Sequence, residues 1–153
     1  MQPATIAKLA CEFDNITALK QSNSDLDLIS DIKSLCPSDF TIYSGDDSLT
    51  LPMMSLGAYG VISVASHIAG KDMKNMLRAF KSGKIQEALK LHLQLYPLFK
   101  KLFMAPNPVP VKSALAHLGI IEEYVRKPLV ELDENEKIEL FSVIDKYYNC
   151  VKQ

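Results

Sequence analysis

The stretch FTIYSGDD, residues 40–47, decides the fold. Phe40 to Tyr43 is an apolar, β-branched and aromatic run, and Gly45 breaks it. Such a run, closed by glycine, reads as a short strand. Two further segments match it. NITALKQS, residues 15–22, carries a strand from about Asn15 to Lys20, and GVISVAS begins a third at Gly60. The uninterrupted apolar character of the third fits a parallel strand covered on both faces. Strands starting near residues 15, 40 and 60 recur every 20 to 25 residues. That is the period of βα units, which build a parallel sheet through right-handed crossovers.

Helical signals fill the intervals. PATIAKLACE, residues 3–12, places Ile6, Leu9 and Ala10 on one face after a proline suited to a first turn. Leu26, Ile29, Ile32 and Leu35 recur at helical spacing, with Ser24 as the expected cap. SLTLPMMSLGAYG reads as a helix with Pro52 early and Gly57 near its end. Residues 70–83 make another, with Met73, Met76, Leu77 and Phe80 inward and Gly83 as its stop.

After Gly83 the pattern is helical alone. Ile85, Leu89, His92, Tyr96 and Phe99 mark one run, which Pro97 is expected to kink or split. APNPVPV reads as a rigid extended turn, VKSALAHLG as a short helix ended by Gly119. The last helix is expected to start at Asp133, with Glu136 as its capping-box partner, and to run to about Tyr148. The expected division is residues 1–83 as βα units and 84–153 as a helical region. A closed (β/α)8 barrel needs eight such units; three leave an open sheet with edge strands.

At 153 residues, 48% hydrophobic and 23% charged, the chain has globular composition. A net charge of −1 gives no electrostatic reason for a nucleic-acid or anionic-membrane partner. Cys11, Cys36 and Cys150 are odd in number and lack a CxxC pairing, so neither a disulfide framework nor a zinc site is expected. No apolar run approaches the ~18 residues of a membrane span. MQPATIAK lacks the basic-then-apolar order of a signal peptide. The expected setting is the cytoplasm.

Parallel α/β sheets place their chemistry at the carboxyl ends of strands. Lys20, the Gly45-Asp46-Asp47 turn, and Ser63 to Ser66 with His67 all fall there. An inward lysine at a strand end suits a Schiff-base enzyme, where a deprotonated amine attacks a carbonyl. It also suits the first solvated residue past a strand. Gly45 would let backbone approach a ligand, or simply make a turn. Asp46 and Asp47 fit acid–base or metal chemistry, but more simply Asp47 caps the next helix and Asp46 is structural. His92 and His117 lie in helical patterns, as surface or core-edge residues. No GxSxG elbow and no metal-ligand spacing is present.

Beyond the residues themselves lies a resemblance. NITALKQS, then SGDD, GVISVAS, NPVPVKSALAHLG and VRKPLVEL together resemble the C-terminal half of the 4-hydroxy-tetrahydrodipicolinate synthase (dihydrodipicolinate synthase) family. These are pyruvate-dependent class I aldolases, a group that includes N-acetylneuraminate lyase. The likeness runs from Pro3 to about Leu132. It implies an α/β fold, the C-terminal part of a TIM (β/α)8 barrel (about strands six to eight with their helices), followed by a C-terminal helical region.

It also implies that Lys20 is the lysine that condenses with pyruvate, forming an imine and then an enamine that attacks aspartate semialdehyde. Gly45 and Ile62 would line the pyruvate pocket through their backbone. No cofactor is implied. Lysine and diaminopimelate biosynthesis, a cytoplasmic setting and a homotetramer of tight dimers are. Two positions depart from the pattern. The usual GIKEA is here Ala18-Leu19-Lys20-Gln21-Ser22, and Ala105 stands where an acidic residue is common.

The family's first five strands have no counterpart in this sequence. With them go the threonine pair that holds the pyruvate carboxylate, the proton-relaying tyrosine, the arginine at the pocket mouth and the feedback-lysine residues. The expectations are therefore an enzyme fragment, a split enzyme completed by an N-terminal chain, or a non-catalytic half-barrel that binds a partner. Another pyruvate aldolase, such as a keto-sugar-acid lyase, is the remaining alternative.

Overall fold

The computed structural model describes residues 1–151, the side chains of Cys150 and Val151 excepted. Of the cysteines, Cys11 and Cys36 are free thiols, and Cys150 lies outside the described side chains. The chain forms two compact units, Met1–Ser63 and Val64–Gln153.

The first unit runs α1 (Pro3–Glu12), β1 (Ala18–Gln21), α2 (Asp27–Leu35), β2 (Thr41–Ser44), α3 (Thr50–Ser55) and β3 (Gly60–Val61). The strands pair in parallel in the order β1-β2-β3, with Lys20 opposite Tyr43 and Tyr43 opposite Gly60. The βα period is therefore realised. Because strand side chains alternate, the register divides the sheet into two faces. Leu19, Ile42 and Ser44 turn toward the helices, where Ile6, Ile29, Ile32, Phe40, Ile42, Met53 and Ala58 form the core. Ala18, Lys20, Thr41 and Tyr43 occupy the other face, on which Ala18 and Lys20 are exposed. Ile29 and Ile32 are completely buried, each contributing about 1.5–3 kcal/mol of apolar burial.

Several boundaries differ from the sequence reading. β1 starts at Ala18 instead of Asn15: Ile16 precedes the strand and packs on the helix-side core. Its apolar side chain is thus not on the face of Lys20. Ser24 does not cap α2. The N-cap is Leu26, and Asn23 and Asp25 instead accept the backbone N–H groups of Asp25 and Asp27 at 3.0 Å each. The run after Gly60 yields only two strand residues, because the chain turns into a helix by Ser66.

The second unit is helical: α4 (Ser66–Lys81), α5 (Ile85–Lys101), α6 (Val109–His117) and α7 (Glu134–Val151). α4 begins four residues before the expected start, with a kink at Ala69, and Gly83 follows it at φ +74°. α5 passes through Pro97 unbroken. Proline there removes the bond to the Leu93 carbonyl and crowds it, and buried Leu95, Leu98 and Phe99 hold the helix on both sides. α6 takes in Val109 and Pro110 from the stretch expected to be extended, since proline fits a first turn. Gly119 ends that segment at φ +71°.

The capping box forms as expected. Glu136 accepts the Asp133 N–H and Asp133 accepts the Glu136 N–H, each at 2.9 Å. Buried Met73, Met76, Leu95, Leu98, Leu102, Leu140 and Ile144 form this unit's apolar interior. No helix among the described residues is long and apolar enough to cross a membrane.

Candidate functional site

All three strands end at one level. Gly45 N–H donates to the Gln21 carbonyl at 2.7 Å, and Ile62 N–H donates to the Ser44 carbonyl at 2.8 Å. The ladder therefore continues one residue past each strand and aligns Ser22, Gly45 and Ile62 across the carboxyl edge. Lys20 lies two residues below that row, opposite Tyr43, on the same face by the two-residue period. Lys20, Gly45 and Ile62, separated by more than forty residues of chain, thus meet at one edge of the sheet.

Gly45 is required there for space. Its φ is not in the left-handed region. A Cβ on Gly45 would lie 2.0 Å from Ser22 Oγ, 2.9 Å from Lys20 Cε and 3.1 Å from Lys20 Cγ. The lysine stem thus lies directly over the glycine backbone, and Lys20 as a residue is exposed. Tyr43 and Tyr59 stack edge to face beside it, ring centroids 5.6 Å apart, and Ile62 is 48% exposed.

The turn after β2 is held by its own polar groups. Ser44 Oγ donates to the Asp46 carbonyl at 2.7 Å and accepts the Asp46 N–H at 3.2 Å. Asp46 Oδ1 accepts both the N–H and the hydroxyl of Ser48, at 2.8 Å each. Thr50 Oγ1 donates to the Asp47 carbonyl at 2.9 Å. Asp46 is structural, as the sequence suggests. The N-cap position of α3 is Leu49, not Asp47. This network fixes Gly45 in place under Lys20.

His67 lies exposed in the first turn of α4, in the second unit. His92 is half-buried, its ring beside Phe99 at 5.8 Å, and burial holds its pKa below the usual value. His117 bonds Asp145 at 2.9 Å and stacks on Phe141. No group of three or more His, Cys, Asp or Glu side chains among the described residues is placed to hold a metal ion. Ser22 and Tyr43 were missed by motif reading. The signal was available in the alternation that puts Ser22 on the face of Lys20, but the partner of Lys20 depends on register.

The model of the dihydrodipicolinate synthetase family matches residues 1–147. The chain belongs to the dihydrodipicolinate synthetase family. Among curated relatives, the 4-hydroxy-tetrahydrodipicolinate synthase of Bacillus subtilis is 46% identical over 146 residues, covering 95% of this chain and 50% of its own length. That of Moorella thermoacetica is 52% identical over 137 residues, covering 90% of this chain and 47% of its own. The crystal structure of dihydrodipicolinate synthase from Aquifex aeolicus superposes with a TM-score of 0.94 at 44% identity, covering 96% of this chain and 50% of that one. The Thermotoga maritima enzyme gives 0.92 at 37% identity, covering 96% and 51%. The chain spans about half the length of the curated relatives it matches. The family fold is a (β/α)8 barrel, and the parallel βα units with their following helices are its C-terminal part.

Proposed function

We propose that this chain carries the Schiff-base half of a 4-hydroxy-tetrahydrodipicolinate synthase, a lyase of lysine and diaminopimelate biosynthesis, with Lys20 as the nucleophile. Its substrates are pyruvate and aspartate semialdehyde. The observation that carries the reading is the convergence of Lys20, Gly45 and Ile62 at one strand edge in a member of this family. The neutral Lys20 amine attacks the keto carbon of pyruvate, and water leaves to form an imine. Loss of a methyl proton gives an enamine, whose carbon attacks the aldehyde. Gly45 and Ile62 wall the pyruvate through their backbone. The proposed division is residues 1–83 as barrel and 84–153 as the helical region, in a cytoplasmic homo-oligomer.

A second reading has one specific observation in its favour. β1 is a sheet edge, and the face that bears Lys20 is open. Barrel residues that face open solvent suit a half-barrel that binds another polypeptide instead of catalysing alone. Deuterium exchange separates the two. The enamine exchanges the methyl protons of pyruvate for deuterium in D2O faster than enolisation in buffer does, which proton NMR follows directly. Exchange that disappears with Lys20→Ala supports catalysis. Exchange no faster than in buffer, with stable self-association of the chain, supports the half-barrel.

A further inference from the structure

Ser22 meets Lys20 across Gly45, which has no side chain to separate them. Its Oγ and the lysine Cε both crowd the position a Gly45 Cβ would take, at 2.0 and 2.9 Å. Cε is one bond from the reacting nitrogen. A group joined to that nitrogen therefore comes within reach of the Ser22 hydroxyl. The polar side chains of the turn after β2 are engaged within it: Ser44 Oγ by the Asp46 backbone, Asp46 Oδ1 by Ser48. Gln21 has the opposite orientation, toward the helix side with Ser44. Ser22 is exposed, and no protein hydrogen bond engages its hydroxyl among the described residues. The Ser22 hydroxyl is thus uncommitted, beside the lysine.

We propose that the Ser22 hydroxyl is a catalytic residue that relays a proton within the carbinolamine formed at Lys20. The proposal rests on the Schiff-base reading above. Attack joins Lys20 Nζ to the keto carbon and moves the carbonyl π pair to oxygen; one proton then passes from nitrogen to that oxygen. In the next step Ser22 gives its hydroxyl proton to the carbinolamine oxygen, which leaves as water with the electrons of the C–O bond. The nitrogen lone pair forms the C=N bond, and the remaining N–H proton returns to Ser22 Oγ. The serine ends unchanged, and one water is released for one imine formed.

The test is the rate at which pyruvate and cyanoborohydride trap the chain, read by intact mass across a pH series. Ser22→Ala is expected to slow trapping roughly tenfold. That is below the ~10²–10⁴ of a full acid–base group, because water substitutes at an exposed site. Its pH profile is expected to change shape, with the unfolding midpoint unmoved. Ser22→Thr, which keeps the hydroxyl, is expected to return to within about twofold of the parent rate, since the same proton transfer remains possible. Trapping of Ser22→Ala at the parent rate and with the parent pH profile overturns the proposal while leaving Lys20 as nucleophile. A slow Ser22→Ala that Ser22→Thr does not rescue, with a lowered midpoint, overturns it as well, since the effect is then structural. A parent chain with no Lys20-dependent adduct overturns the Schiff-base reading, and the role of Ser22 falls with it.

Discussion

The two units use their polar side chains in opposite ways. In the helical unit, polar groups tie element to element. Tyr147 donates to Asp72 at 2.7 Å and Tyr148 to the Ile68 carbonyl at 3.2 Å, which fastens α7 to α4. His117 pairs with Asp145, Lys101 with Glu139, and Lys137 with Glu123. In the sheet unit, Ser44, Asp46, Ser48 and Thr50 bond within the turn after β2, and Lys20 and Ser22 lie on an exposed face. A bonded polar group is chemically occupied; an unbonded one beside a glycine is available to a substrate. Under the proposed function, the contrast places cohesion in one unit and reactivity in the other.

The contrast breaks most completely at Lys20. Lys20→Ala is expected to abolish pyruvate exchange while changing stability by no more than ~0.5 kcal/mol, as befits an exposed position; exchange and a urea titration together check this. In the helical unit, Ile144→Ala should do the reverse. It removes a fully buried side chain and is expected to cost about 2–5 kcal/mol in the same titration.

Gly45→Ala sharpens the comparison, because its new methyl group competes with the lysine stem and Ser22 Oγ for one position. Roughly tenfold slower adduct formation, about 1.4 kcal/mol in the barrier, is expected, read by the same intact-mass trapping. The smallest effect belongs to Tyr147→Phe, at about 1 kcal/mol for one hydrogen bond. Burial, and then the Asp72 carboxylate, push the Tyr147 phenol well above its usual range. A folded pKa above the unfolded one stabilises fully below about pH 10, the unfolded tyrosine value, and is lost as pH rises further. Thermal unfolding of the parent should therefore weaken above that pH more steeply than in Tyr147→Phe.

Much of this was legible in the sequence. The period of strands near residues 15, 40 and 60 gave the parallel sheet, and the capping box at Asp133 and the glycine stops at Gly83 and Gly119 gave helix ends. Those signals are local, so they survive folding. Ser24 and Asp47 failed as caps for a related reason: nearby side chains offered competing local bonds, as in the Asn23 and Asp46 turns. Pro97 failed as a helix breaker because tertiary burial on either side outweighed one lost backbone bond. The site was half legible. Lys20 and Gly45 follow from motif position, but their contact, and the arrival of Ser22 in it, depend on interstrand register, which is set by pairing across the sheet.

The most direct test of Lys20 as the reactive group is the mass of the chain after incubation with pyruvate and borohydride, followed by peptide mapping. A single pyruvate-derived adduct is expected on the peptide that contains Lys20, absent from Lys20→Ala. Adduct spread over surface lysines, or persisting in Lys20→Ala, would contradict it.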